Sequence, residues 1–294
     1  MVTETNILDN HIEAVNNNLN QLVVDIMVKL DMDPADIEYM HELSPYLILD
    51  GHRSGMQQNE NPAQGYLEGA IFSLRFAKIM QELGGRQCSF LIHTLRNYAT
   101  MDRMKAIFDA ITNVGKKFIA TARESGIQLK YFGESVHTTY AMADIINTAE
   151  RMTINCTDFN LNFLTNYSDD WAIQNLEKLE KLPEISVIGR FTKGHYSGAS
   201  IPTKANKANF TYIQQASISD NWTNEELITL ALSLLKSHLS VKGFVGGKSY
   251  ANDEKTQIYL AREVDMQNNI YQLKGENHKR IITFNPMGPI TIEF

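Results

Sequence analysis

Apolar positions along the chain fall into two alternating kinds of segment. Short continuous apolar runs, Tyr46-Leu47-Ile48-Leu49, Cys88-Ser89-Phe90-Leu91-Ile92, Gln128–Phe132, Phe159–Tyr167 and Ile185–Phe191, read as buried strands. Between them lie longer stretches in which apolar residues recur every three or four positions. The clearest spans residues 101–125, where Met104, Ile107, Phe108, Ile111, Val114 and Phe118 share one face and Gly126 stops the helix. Leu67, Ile71 and Leu74 predict a helix from Gly65 to Glu82, closed by Gly84-Gly85. Further helices are predicted over Ser135–Met152, Asp169–Leu179 and Asn206–Ile218. A capping box at Thr223-Asn224-Glu225-Glu226 predicts a last one reaching about Leu239.

Residues 8–30 read as a helix that becomes amphipathic towards Leu22–Met27 and is broken by Asp33-Pro34, and residues 54–64 read as a loop. Strands alternating with helices imply an α/β protein with a mostly parallel central sheet flanked by helices. After Gly247 the texture changes. Gln257–Leu260, Ile270–Leu273, Arg280–Phe284 and Ile290–Phe294 are strand-like runs between polar turns, a meander pattern. The expected organisation is an N-terminal helical extension over 1–40, a catalytic domain over 41–245, and a β-rich C-terminal appendage over 246–294.

Composition narrows the field. With 294 residues and 43% hydrophobic content the chain can build one substantial core. Thirty-four acids against 27 bases give a formal net charge of -7, the wrong sign for a nucleic-acid protein. Cys88 and Cys156 sit in apolar segments outside any Cys-x-x-Cys pair and are expected to be buried free thiols of a reducing compartment. No leader pattern is seen at Met1–Thr5 and no apolar run is long enough to span a membrane, so a cytoplasmic location is expected.

In parallel sheets ligands bind beyond the carboxyl ends of the strands. The residues that follow each run are therefore the candidates. Asp50, Gly51, His52 and Arg53 follow the first, and His93, Thr94, Arg96 and Asn97 the second. Asn166 and Tyr167 close the fourth, and Arg190, Lys193, Lys204 and Lys207 accompany the fifth. A carboxylate among several cations, next to a glycine turn, suits a phosphorylated ligand with Mg²⁺: the acid holds the metal and the cations take phosphate oxygens. Each piece also has a plain reading. Asp-Gly is a common turn dipeptide, His93 would serve equally as a hydrogen-bonded core histidine, and the loop lysines would serve as solvated surface charges.

Taken together and in order, these pieces resemble the cis-prenyltransferases, the family of undecaprenyl diphosphate synthase, over roughly residues 44–235. Leu49-Asp50-Gly51-His52-Arg53 stands where that family has Met-Asp-Gly-Asn and an Arg-rich stretch. Gly65-Tyr66-Leu67-Glu68-Gly69 matches its Gly-His-x-x-Gly turn, and His93–Tyr98 keeps the Asn and an aromatic of Phe-Ser-Thr-Glu-Asn-Trp. Asn166-Tyr167 followed by Trp171, Pro183–Arg190, and Ala208-Asn209-Phe210 match three further motifs. The resemblance implies that Asp50 holds Mg²⁺ and diphosphate together with Gly51 and Asn97. It further implies that Arg190 binds a second diphosphate, and that the chain forms a homodimer.

The departures are specific. Arginines of the family fall on Ser54, Pro62, Thr100 and Asn206, its turn histidine on Tyr66, and its metal-completing Glu near Ser219. Each lost charge-assisted bond removes roughly 1.5–3 kcal/mol from phosphate binding. The expected activity is thus an altered one on the same frame: Mg²⁺-assisted ionisation of an allylic isoprenoid diphosphate giving a short, branched or cyclic product, as in the lavandulyl and cyclolavandulyl diphosphate synthases. His52, Tyr66 or His93 would supply the terminating base, with Arg53, Arg96, Lys193, Lys204, Lys207 and Asn209 among the substrate ligands. The alternatives are a non-catalytic partner subunit, or the fold recruited for unrelated chemistry.

Overall fold

The structure, a computed structural model, describes residues 19–49, 62–94, 101–134, 140–191, 201, 203–205, 208–214, 222–242, 280–285 and 288–293. In chain order its elements are α1 (Leu19–Lys29), a 3₁₀ segment (Pro34–Glu42), β1 (Pro45–Ile48), α2 (Pro62–Glu82), β2 (Gln87–Leu91), α3 (Met101–Glu124), β3 (Ile127–Phe132), α4 (Tyr140–Thr153) and β4 (Phe159–Leu164). There follow α5 (Asp169–Gln174), α6 (Leu176–Leu179), β5 (Val187–Phe191), β6 (Asn209–Gln214), α7 (Asn224–Lys242), β7 (Arg280–Asn285) and β8 (Gly288–Glu293).

One eight-stranded sheet runs β3-β4-β2-β1-β5-β6-β7-β8. The six strands β3 to β6 in that order are all parallel. The last two, from the segment read as a β-rich appendage, continue the same sheet antiparallel, β6 to β7 to β8. The runs at 257–260 and 270–273 lie outside the described residues.

Strand alternation sorts the core into two layers. Leu47, Leu49, Cys88, Phe90, Leu161, Phe163, Val187 and Phe191 pack with α1, α2, α3 and α7 into the larger cluster. Tyr46, Ile48, Leu91 and Leu164 face the other way, onto Trp171 and Ala172 of α5 and onto Leu179 and Leu182. The sheet is therefore covered on both faces, as the near-continuous apolar strand runs require. At the start of α7 the capping box is present as expected: Glu226 N–H donates to Thr223 Oγ1 at 3.2 Å and Thr223 N–H to Glu226 Oε2 at 2.7 Å.

Three expectations change. The predicted helix 206–218 is instead strand β6, whose Asn209–Ile213 pair in register with Val187–Phe191. Its Phe-Thr-Tyr-Ile run is aromatic and β-branched, a composition that fits a pleated surface. The helix 169–179 is interrupted at Asn175, whose φ of -124° ends α5. Of the two thiols, both free, only Cys88 is buried; Cys156 is half-exposed.

Candidate active site

The chain leaves β1 through α2 to reach β2 on one side, and leaves β5 to reach β6 on the other. The crevice at the carboxyl ends of β1 and β5 is thus the point where the winding reverses, where ligands bind in such sheets. Ile48 of β1 and Arg190 of β5 are register partners there. Arg190 is 2% exposed and shares the α5-facing side of the sheet with Ile48.

On the same side, β4 brings Asn166 beside His93. Leu91 pairs with Leu164, and the two chains stay together for two more residues, with Ile92 N–H donating to the Leu164 carbonyl at 3.0 Å. Asn166 takes a left-handed φ of 49°, a conformation asparagine tolerates. Its Nδ2 donates to the Glu134 carbonyl at 3.0 Å, which fixes the amide so that Oδ1 faces His93 Nε2 at 2.8 Å. An amide oxygen only accepts, so Nε2 is the protonated ring nitrogen. Both side chains are buried. Loss of water around the ring lowers the His93 pKa to about 4, against a smaller opposing effect of the Asn166 bond.

On the opposite side of the sheet two adjoining apolar cavities open. One, of about 60 Å³, is lined by Leu49, Tyr66, Gly69, Ala70, Ile92 and Ile107 among others. The second, of about 80 Å³, shares Ala70, Ile92 and Ile111 with the first and continues between α3 and α4 to Phe118, Ile145 and Phe163. Apolar cavities on the order of 150 Å³ hold small hydrocarbons.

The expected site residues therefore divide. Arg190 and His93 lie at the carboxyl edge, and Tyr66 lines the cavity whose wall includes Leu49. Asp50, Gly51, His52, Arg53, Arg96, Asn97, Lys193 and Lys207 lie outside the described residues. Lys204 and Asn209 are not brought to this edge. A parallel β5–β6 pair obliges the connection to return to the amino edge before β6 begins. Lys204 accordingly meets Ile185, whose N–H its carbonyl accepts at 2.8 Å, and pairs with Glu184 at 3.2 Å. Asn209 opens β6, and its amide donates to the Ser237 carbonyl at 3.0 Å and hydroxyl at 2.9 Å.

The sequence gives Asn166 no role of its own and, apart from Tyr66, does not point to the cavity lining. Asparagine closing a strand is a visible hint of positive φ; nothing local marks Ala70 or Ile145 as cavity walls.

No family model matches the sequence, and no curated protein matches it. Solved structures do. Lavandulyl diphosphate synthase from Lavandula x intermedia, solved in complex with dimethylallyl diphosphate, superposes with a TM-score of 0.57 at 11% identity, covering 65% of this chain and 94% of that one. A probable undecaprenyl diphosphate synthase from Campylobacter jejuni gives 0.52 at 13% identity, covering 65% and 93%. The chain has a cis-prenyltransferase-like fold.

Proposed function

We propose that this protein is an isoprenoid-diphosphate enzyme of prenyltransferase type, which ionises an allylic diphosphate and yields a short branched or cyclic product. One juxtaposition carries the reading. Leu49, at the end of β1, walls an apolar cavity between the sheet and helices α2 and α3, and the next residue in the chain is Asp50. A ligand with a hydrocarbon tail and an anionic head suits that pairing. The tail would lie in the cavities past Tyr66 and Ala70, and the head would lie over the crevice beside Arg190, whose guanidinium matches diphosphate oxygens.

Mg²⁺ belongs to this reading. It takes oxygen ligands, one or two carboxylates being enough when substrate phosphates supply the rest, and Asp50 offers such a carboxylate. In this reading Asp50, at the end of β1, is the protein's carboxylate ligand to the ion. Bound there, the ion would neutralise charge on the departing diphosphate. Gly51, Arg53, Asn97, Arg96 and Lys193 follow the same strand ends and complete the proposed head-group site. A cytoplasmic homodimer is the proposed state. No described helix is long and apolar enough to cross a membrane.

The test is direct. The purified chain is incubated with Mg²⁺ and dimethylallyl or geranyl diphosphate, with and without isopentenyl diphosphate, and products are identified by mass spectrometry. Turnover that disappears with a chelator and in Asp50→Ala is expected. No product from any combination refutes the reading.

A further inference from the structure

At the far side of the sheet from β7 and β8, β3 is an edge strand. Helix α4 runs back along it, and two of its side chains take outward N–H groups of the strand. Leu129 N–H donates to Thr153 Oγ1 and Tyr131 N–H to Glu150 Oε1, both at 3.0 Å. Between α4 and the α5–α6 segment, β3 forms the floor of a groove of about 940 Å³. Ligand sites for small organic molecules fall in this size range. The apolar part of the groove includes Phe132, Trp171, Ile146 and Ile154. Lys130, Arg151, Lys178 and Lys181 also line it, against two carboxylates, Glu134 and Glu150. This is a local positive surplus in a chain whose formal charge is -7. Among the described residues none of the four cations joins a salt bridge. Lys178 and Lys181 share one turn, in which Lys181 N–H donates to the Lys178 carbonyl at 3.2 Å. Strand alternation puts Lys130 on the same side as Phe132, the side that α5 and α6 cover. Lys130 is half-buried, and loss of water around its ammonium lowers its pKa. An anion beside it would relieve that cost.

We propose that this groove binds a free anionic amphiphile, a phosphate or carboxylate head group on a single hydrocarbon chain. The head lies among Lys130, Lys178 and Lys181, and the chain runs along Phe132 and Trp171 towards Ile146. The groove's inner wall supports the hydrocarbon chain. Tyr131, Ile146 and Thr165 line the groove and also the apolar cavity of about 80 Å³ between α3 and α4, so apolar wall continues from one to the other. Other occupants fit less well. A peptide strand adding to β3 needs N–H groups that Thr153 and Glu150 already hold. A second copy docked groove to groove would set four cations against four. A bilayer surface would leave the recessed floor untouched, since Phe132 and Trp171 are both buried. The proposal does not depend on the isoprenoid-diphosphate reading, and its test uses no turnover.

Dodecyl phosphate, kept monomeric below its critical micelle concentration, is titrated calorimetrically into the full chain. Binding of a single molecule per chain is expected. It should change the tryptophan fluorescence, and Trp171→Phe should abolish that change, because the second tryptophan, Trp222, lies in the core. Lys178 and Lys181 are exposed, so the double variant Lys178→Glu/Lys181→Glu should fold as the wild type does. It should bind on the order of 10²-fold more weakly, and Lys130→Gln roughly tenfold more weakly. Dodecyltrimethylammonium, with the same chain and the opposite charge, should not bind. Equal affinity of the wild type and the double variant would put the amphiphile elsewhere, such as the cavities behind Leu49, and overturns the proposal. Binding only to phosphatidylserine vesicles, or equal affinity for poly-glutamate, also overturns it, by assigning the cations to a membrane or to an acidic protein. The proposed enzymatic function stands or falls separately from all of these outcomes.

Discussion

At the end of β2 the folded protein holds a histidine away from water, whereas in the unfolded chain the same imidazole titrates near its ordinary value of about 6.5. Its folded pKa is lowered to about 4. Between these values the unfolded state binds a proton that the folded state refuses, so stability falls as pH drops from about 6.5 to 4 and is untouched above that window. The linkage amounts to about 2 kcal/mol by pH 5 and about 3 kcal/mol by pH 4. Urea unfolding of the wild type and His93→Gln at pH 7, 6 and 5 should show the wild type losing that much relative to the variant; parallel curves would show that His93 does not titrate across the window. A second residue-scale test sits across the same edge. Gly133 has φ of 150°, and a Cβ there would fall on the Thr165 carbonyl oxygen. Gly133→Ala should therefore cost on the order of 3 kcal/mol. At Gly84, φ 90° with nothing within 4 Å of a built Cβ, only backbone strain is paid, about 1 kcal/mol. Urea midpoints order the two; equal losses would mean that β3 and β4 do not approach so closely. None of this was visible in the sequence beyond the identities themselves. His93 and Asn166 are 73 positions apart, and only the insertion of β4 between β3 and β2 makes them neighbours.

Elements were legible where a start or stop signal accompanied the right period. The Thr223–Glu226 box is such a signal, and both of its reciprocal bonds are present. Thr223→Ala should lower stability by about 1 kcal/mol, measured as a shift in urea midpoint without a change in slope; no shift would mean that the fold holds the helix start without its cap. By contrast β6 read as a helix because its flanks, Ala205–Ala208 and Gln214–Ala216, mix alanine with polar residues. The strand signal is confined to Phe210–Ile213, too short to outweigh them by local pattern. What decides the matter is tertiary: Thr211 and Ile213 are buried under α7, with Thr211 Oγ1 3.2 Å from Ser237 Oγ. The same misreading explains why Lys204 and Asn209 were expected at the carboxyl edge. With a helix in place of β6, nothing in the pattern indicates that the chain must first run back across the sheet.

At the scale of the whole molecule, the order of strands turns a list of edge residues into a site, and it also makes a prediction about length. Ala70, Ile92 and Ile111 line both apolar cavities, so they mark the junction between a first compartment next to Leu49 and a second reaching Phe163. If a prenyl chain enters from the crevice, its first isoprene unit occupies the compartment at Leu49 and Tyr66, and any second unit must pass Ala70. Each buried methylene is worth about 0.8 kcal/mol, so a five-carbon unit in the second compartment contributes roughly 3–4 kcal/mol to binding. Ala70→Phe places a ring at the junction and should close the second compartment while leaving the head-group site intact. The expected result is a loss of preference for geranyl over dimethylallyl diphosphate on the order of 10²-fold in kcat/KM, with dimethylallyl turnover retained. Far-ultraviolet circular dichroism and the urea midpoint would check that the variant folds, since overpacking costs about 1–3 kcal/mol. If a folded Ala70→Phe protein treats the two substrates as the wild type does, the cavities beneath the crevice are packing defects and the substrate chain lies elsewhere.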